Sequence, residues 1–255
     1  MDWQTIRYEK DGRVARITLN RPEVLNALNT AMAQELAEAT QLAAKDPETW
    51  VVIVSGAGKA FNSGIDRTLL ATGKIGEEFF HLWAQALDTL EDMEKMVLCV
   101  LHGYCIGGGL QLALACDLRL AVSGAIIGLG ATRHGLIPDG AVYRLARVVG
   151  LGRAKELSLL NNHIGAEEAR QIGLVNWVVL PEELEATTRR ILDRLFDCSA
   201  TAARWTKTLL NRSFHVDPRA RVGDILAAER ECDASPELEE ANRAWLEKRE
   251  PRFFP

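Results

Sequence analysis

The stretch VLCVLHGYCIGGGLQLALACDLRLA, residues 97–121, decides the fold. It opens on a short apolar run, crosses a loop holding Gly103, Gly107, Gly108 and Gly109, and continues into the helical pattern LQLALAC. An apolar run of that length without polar interruption reads as a strand buried on both faces. Consecutive glycines weaken a helix or strand interior, so they mark the turn between the two elements. A strand-to-helix junction points unpaired backbone N–H groups outward, and the helix dipole favours negative charge in front of them. Residues 117–128 leave room for two more short strands.

The same order of elements recurs on the amino-terminal side. VVIVSG (51–56) is a β-branched run closed by glycine, followed by the loop AGKAFNSGID (57–66) and two helical stretches reaching Met96. Before it, residues 3–8 and 14–19 alternate in strand fashion around a Lys10-Asp11-Gly12 turn, which fits a hairpin. Asn29 or Thr30 can cap a helix through AMAQELAEATQLAAKD (31–46), with Met32, Leu36, Ala39, Leu42 and Ala43 on its apolar face. Asp46-Pro47 ends it. Beyond Gly140 the patterns AVYRLARVVG, RAKELSLLNN, AEEARQIG and PEELEATTRRILDRLFDC are helical, interrupted by one strand at 175–179. From Ala200 onward the chain reads as helix, with Pro218 and Pro236 near helix starts. Strands alternating with helices predict an α/β fold with a mainly parallel sheet. The expected division is an α/β core over residues 1–195 and an all-helical module over 196–255.

Composition removes several function classes. A formal net charge of -5 disfavours nucleic-acid binding, which rests on clustered Lys and Arg, but leaves room for a small polyanionic ligand. The five cysteines, Cys99, Cys105, Cys116, Cys198 and Cys232, sit mostly in apolar runs without zinc-site spacing, so buried reduced thiols and no metal are expected. The start MDWQTIRYEKDGR lacks an apolar signal core, and no apolar run approaches the ~20 residues of a membrane helix. No membrane partner and a cytoplasmic location are expected.

Neither glycine loop fits a nucleotide-binding pattern. GYCIGGG has Cys105 where G-x-G-x-x-G needs its second glycine, and SGAGKAF lacks the spacing and hydroxyl of a P-loop. Each alone is equally well read as a tight turn. Together, and in this order, they resemble the enoyl-CoA hydratase/isomerase (crotonase) superfamily. The matching segments are LNRPEVLNALN, SGAGKAFNSGID, HGYCIGGGLQLALACDLRLA, HGLIPDGAVYRLARVVG, RAKEL, AEEARQIGLVNWVV and RAWLEKREPRF, spanning roughly Ile6 to Phe253.

The resemblance implies a spiral of strand-strand-helix turns followed by a helical carboxy-terminal module. It implies homotrimers, often paired into hexamers, and an acyl-CoA substrate, with coenzyme A arriving as part of that substrate and no permanently bound cofactor. Ile65 and Gly108 would supply the two backbone N–H groups that grip the thioester oxygen, and a side chain at Gly108 would intrude where the thioester lies. Ser63, Gly64, Gly107 and Ala131 would flank the substrate. Arg21 and the backbone of Val24, Leu25 and Ala27 fall where the family holds the CoA nucleotide. Trp245 and Lys248 match an aromatic and a lysine that the family's last helices lend to the ligand region. Asp66 matches a common family aspartate and reads as a helix cap.

The pattern breaks at the acids. The hydratase branch carries glutamates where this chain has Gln111 and Ala131, and neither replacement can exchange a proton at neutral pH. Ordinary 2-enoyl-CoA hydration is therefore not expected. Asp139, in IPDGAVYRL, is the remaining acid: dienoyl-CoA isomerases place an acid/base aspartate there and 4-chlorobenzoyl-CoA dehalogenases a nucleophile. Three readings stay open: an isomerase-type proton transfer by Asp139, a dehalogenase or hydrolase using it, and a non-catalytic CoA-thioester binder. Asp139 is also well placed to cap a helix from Gly140. Gln111 can orient water or a carbonyl, and His134, beside Arg133, is either a proton carrier or a solvated loop residue. His102 reads as structural, Tyr104 and Trp83 as packing residues, and His81, His163 and His215 have no partner pattern. Pocket walls are expected around residues 69–83 and 136–143.

Overall fold

The computed structural model describes residues 3–214, 217 and 220–254. His215 and Pro218 lie outside the described residues. The chain divides into two compact units, Met1–Met93 with Val97–Leu184, and Glu94–Met96 with Glu185–Pro255. The second unit thus takes in residues 185–195, which the sequence pattern assigns to the core.

In the first unit, β1 (Ile6–Asp11) and β2 (Val14–Leu19) form the antiparallel hairpin. Asp11 pairs with Val14, so the turn is two residues long, and Gly12 takes φ +55° as such tight hairpins require. α1 (Thr30–Lys45) is capped by Asn29, whose side chain accepts from the Met32 N–H at 2.8 Å. Its buried face includes Met32, Ala33, Leu36, Ala37, Ala39 and Ala43, whereas Leu42 is 37% exposed. Leu42 sits at the edge of the stripe, and small alanines let neighbouring elements approach the helix closely instead. β3 (Val51–Gly56) runs parallel to β2. α2 (Arg67–Ala71) and α3 (Glu77–Asp92) follow, and α3 packs along α1, with Phe79, Trp83, Leu87 and Leu90 among its buried residues.

The decisive stretch folds as β4 (Met96–Leu101), β5 (Tyr104–Ile106) and α4 (Gly108–Leu114), then β6 (Leu118–Val122) and β7 (Ile126–Gly128). α5 (Arg144–Val149) and α6 (Leu151–Leu160) lead to β8 (His163–Gly165), α7 (Ala166–Gln171) and β9 (Trp177–Val179). Two sheets result, with orders β1-β2-β3-β4-β6-β9 and β5-β7-β8. Each of β4 and β6 contributes to the large sheet, and the chain then steps to β5 or β7 in the small one. This is the spiral of strand-strand-helix turns that the resemblance implies. β8 is missing from the sequence reading because three residues, His163-Ile164-Gly165, carry neither alternation nor an apolar run.

A buried cation ties these turns together. Arg119 on β6 donates from Nε to the Leu174 carbonyl at 2.7 Å and from Nη1 to those of Cys116 at 2.7 Å and Ala113 at 3.3 Å. Burial lowers its pKa from the usual arginine value, against partial support from Asp117. Cys99, Cys105 and Cys116 are buried free thiols, and burial pushes Cys99 and Cys105 well up. Cys198 departs from the expectation of buried thiols. It lies exposed two residues past Phe196, and Cys232 is half-buried.

The second unit holds α8 (Leu184–Phe196), α9 (Ala200–Arg212), α10 (Arg221–Asp233) and α11 (Pro236–Glu247). Ser199 and Ser235 cap α9 and α11, and Pro236 occupies the first turn, where its missing N–H is harmless. Lys207 donates to the Lys95 carbonyl at 2.9 Å, and Glu240 is gripped by Arg243, Arg249 and the Arg252 N–H.

Arg119→Leu should unfold more easily by about 3–5 kcal/mol, because three buried carbonyls lose their donor. Urea denaturation checks this. An unchanged midpoint would show that water replaces the guanidinium without cost.

Candidate active site

Two loops are brought together by backbone pairing. The Phe61 N–H donates to the His102 carbonyl at 2.8 Å, Asn62 N–H to Tyr104 at 2.9 Å, and Ile106 N–H to Asn62 at 3.0 Å. This short parallel run sets Gly64 against Gly107: a Cβ at Gly107 would lie 3.6 Å from the Gly64 Cα. Gly64 takes φ +93°, and a Cβ there would come within 3.1 Å of the Ile106 carbonyl oxygen. Glycine is required on both counts.

The third strand of this assembly is the segment after β2. Leu28 N–H donates to the Gly64 carbonyl and Asp66 N–H to the Leu28 carbonyl, each at 2.8 Å. In this parallel bridge between Leu28 and Ile65 the intervening Ile65 N–H takes no part. On the other loop the Gly107 N–H goes to the Gly128 carbonyl at 2.9 Å. Among the described residues, neither the Ile65 N–H nor the Gly108 N–H has a recorded acceptor. Both residues line one cavity of about 230 Å³, together with Ser63, Gly64, Gly107, Gln111, Ala131 and Asp139. Two free backbone donors at one cavity can hold an oxygen that gains negative charge.

A side chain at Gly108 would also meet the protein itself. A Cβ there would sit 2.2 Å from Leu28 Cδ1 and 3.5 Å from Trp83 Cζ2. A side chain there would require Leu28 to shift.

Gln111, 5% exposed, accepts from Trp83 Nε1 at 2.7 Å. Trp83 does pack, stacked on Phe79 at 6.3 Å, but it also fixes the amide. Asp139 does not cap a helix: α5 starts at Arg144, and Pro138 to Val142 form a turn closed by Ala141 and Val142 N–H groups on the Pro138 carbonyl. No hydrogen bond or ion pair of the Asp139 carboxylate is recorded among the described residues. Its neighbour is held firmly. Arg144 donates from Nη1 to the Gly140 carbonyl at 3.1 Å while Nε and Nη2 grip Glu91 and Asp88 of α3. A Cβ at Gly140 would lie 2.4 Å from Leu87 Cδ1, so the turn is pressed against α3.

His134 is exposed, lines the cavity, and meets Arg67 Nη1 through Nε2 at 3.2 Å. A guanidinium only donates, so that nitrogen accepts and the proton sits on Nδ1. Arg133 and His163 also line the cavity. His102 is structural as expected, bonding the Gly58 carbonyl at 3.1 Å, while His81 pairs with exposed Glu77.

Arg21 donates to the Ala27 carbonyl at 2.6 Å and reaches Asp66 at 3.4 Å, and Asp66 caps α2 through the Leu69 N–H. Asn26 was not singled out by sequence reading. Fully buried at φ +57°, it accepts from the Arg21 N–H and donates to the Ala57, Ala60 and Phe61 carbonyls. An Asn between two apolar residues in a turn was the available signal. Val24 and Leu25 form the adjoining turn, with the Leu25 carbonyl accepting from Ser63 N–H at 3.1 Å. Trp245 and Lys248 are not lining residues. They belong to the second unit, Trp245 82% exposed on α11 and Lys248 in the left-handed conformation at its end.

The enoyl-CoA hydratase/isomerase family model matches residues 9–254. The chain belongs to the enoyl-CoA hydratase/isomerase family. It is 35% identical to the short-chain-enoyl-CoA hydratase of Clostridium acetobutylicum, covering 100% of this chain and 99% of that one. It is 31% identical to the peroxisomal Delta(3,5)-Delta(2,4)-dienoyl-CoA isomerase of Arabidopsis thaliana, covering 98% and 96%. The crystal structure of enoyl-CoA hydratase subunit I from Geobacillus kaustophilus superposes with a TM-score of 0.91 at 31% identity, covering 100% and 99%. Hydratases and an isomerase thus stand at similar distance, and membership alone does not choose between their reactions.

Gly108→Ala should cost about 1–3 kcal/mol through overpacking. Leu28→Ala removes the colliding methyl, so the double variant should be more stable than the sum of single losses predicts. A double-mutant cycle in urea measures this. Strict additivity would mean that Leu28 is not what excludes a side chain at Gly108.

Proposed function

We propose that this protein binds an acyl group as its coenzyme A thioester and isomerises it, with Asp139 carrying the proton. The observation that carries this reading is that Asp139 lines the same cavity as Ile65 and Gly108 while no recorded partner occupies its carboxylate. In the proposed reaction the thioester oxygen sits between the two N–H groups. Asp139 takes a proton from C2 of a 3-enoyl thioester, and the electron pair moves onto that oxygen as a dienolate. The same carboxyl returns the proton at C4, so the double bond moves to C2–C3 with no net gain or loss of atoms. Each donor is typically worth about 10²–10³ in rate and the acid/base group about 10²–10⁴.

Hydration would need a group to activate water and another to deliver a proton. Gln111 and Ala131 can do neither, which favours isomerisation over the hydratase reaction of many relatives. The CoA nucleotide is proposed to lie along Arg21 and the Val24–Ala27 backbone. A homotrimer or dimer of trimers is proposed, in line with exposed Leu210, Val222, Trp245 and Leu246 in the helical unit. In such an assembly Trp245 and Lys248 would be offered to ligand.

The test is incubation of wild type and Asp139→Asn with 3-enoyl-, 2-enoyl- and aroyl-CoA thioesters in D₂O, followed by mass spectrometry. Wild type should shift the double bond and take up deuterium, and Asp139→Asn should slow this by about 10²–10⁴. Free CoA, a lost ring substituent or a covalent adduct on Asp139 would mean hydrolysis or dehalogenation instead. Thioester binding without turnover would make the protein a binder.

A further inference from the structure

The cavity carries positive charge that moving the proton does not use. Its charged lining consists of Arg67, Arg133 and Asp139, with His134 and His163 beside them. Two guanidiniums against one carboxylate leave this lining net positive, in a chain whose formal net charge is -5. Other arginines around the site are already paired, Arg21 with Asp66 and Arg144 with Asp88 and Glu91. Neither Arg67 nor Arg133 has a recorded carboxylate partner among the described residues. Arginine lining an otherwise apolar cavity without a counter-ion suits an anion that arrives with the ligand.

Two segments bring these groups together. Arg67 is the first residue of α2, two positions after Ile65, so their Cα atoms are at most about 7 Å apart. Arg133 and His134 belong to the turn Thr132–His134, next to Ala131. Thr132 Oγ1 pins that turn by donating to the Ser158 carbonyl at 2.9 Å. The turn meets α2 where Arg67 Nη1 donates to His134 Nε2 at 3.2 Å. This bond uses one of the five guanidinium N–H donors of Arg67 and leaves the His134 Nδ1–H as a donor. Exposure is graded around the cavity: Gly108 is buried, Ile65 and Asp139 are half-buried, and Arg67, Arg133 and His134 are exposed. The cations therefore stand at the open rim, where an anion keeps part of its hydration.

We infer that Arg67 and Arg133 form a carboxylate-binding subsite, with His134 Nδ1 as a further donor, and that the substrates are acyl-CoA thioesters carrying a second carboxylate at the far end of the acyl chain. The inference rests on the thioester reading of the cavity and narrows it. A carboxylate beyond C4 leaves C2 to C4 untouched, so it is compatible with the proposed double-bond shift.

The experiment is calorimetric binding of free CoA, hexanoyl-CoA, adipoyl-CoA, octanoyl-CoA and suberoyl-CoA to wild type, Arg67→Gln, Arg133→Gln and the double variant. Within each pair of equal length the ligands differ only by a terminal methyl or carboxylate, and being saturated they cannot isomerise. Wild type should prefer the carboxylate in at least one pair by about tenfold, the low end for hydrogen bonds to charged groups because both arginines are exposed. Each single variant should lose part of that preference. The double variant should lose it altogether or reverse it, since Asp139 is then the charge that remains in the lining. Equal binding within both pairs by wild type, or a preference that survives in the double variant, overturns the inference and leaves the thioester reading intact. An equal loss for free CoA and all four thioesters in the variants overturns it too, because the arginines would then hold the CoA phosphates. Failure of all four thioesters to bind wild type overturns both.

Discussion

The close approach of two backbones, Gly64 against Gly107, is the constraint on which the site depends. No side chain separates them, and the parallel pairing of residues 61–62 with 102–106 holds them there. The Ile65 and Gly108 N–H groups lie immediately beyond that junction on their respective segments. Loops do not hold such positions unaided, because fixing each residue costs about 1–2 kcal/mol in backbone entropy. Buried asparagines offset that cost here. Asn62 accepts from the Gly64 N–H at 2.8 Å and donates to the Asn26 carbonyl at 2.5 Å, and Asn26 in turn binds three carbonyls of the 57–61 loop. Leu25 and Asn26 both adopt positive φ to make this possible. For Leu25 that conformation is strained, and the surrounding hydrogen bonds sustain it.

The acid side of the cavity is held by another kind of force. Arg144 and Arg147 share Glu91, with Arg144 also on Asp88, and the same guanidinium anchors the Gly140 carbonyl. The side chain of Arg144 is mostly buried, so its hydrogen-bonded ion pairs are screened less than surface pairs would be. A charged clamp on α3 thus positions the turn that carries Asp139, while α3 also supplies Trp83 to orient Gln111. One helix thus braces both the turn that carries Asp139 and the Gln111 amide. A substitution on α3 that touches no ligand should therefore be felt at both.

Much of this was legible along the chain. The glycine pair of loops, their strand-to-helix setting, the hairpin, the capping Asn29 and the cap at Asp66 follow from local rules, and local rules are satisfied in the structure. What failed to show was of two kinds. β8 is too short to leave a pattern. Asp139 reads as a cap because aspartate before a helical pattern satisfies every local rule, yet the helix begins only at Arg144, after the Pro138 turn. At Gly108 the resemblance points only to the ligand, since nothing in its own segment points to Leu28, eighty positions earlier in the sequence, which also packs against it.

The sequence by itself determined the family, the spiral of strand-strand-helix turns, and the presence at positions 111 and 131 of a glutamine and an alanine, neither of which exchanges a proton. These depend on residue type and on neighbours a few positions away, which a linear chain records. Only the tertiary structure decided which way the Gln111 amide faces, that Arg21 is engaged by Asp66, and that Asp139 lines the cavity with no recorded partner among the described residues. Hydrogen-bond direction and side-chain pairing arise between segments 28 to 45 residues apart. They are properties of packing, and packing exists only once the strands and helices have closed on one another.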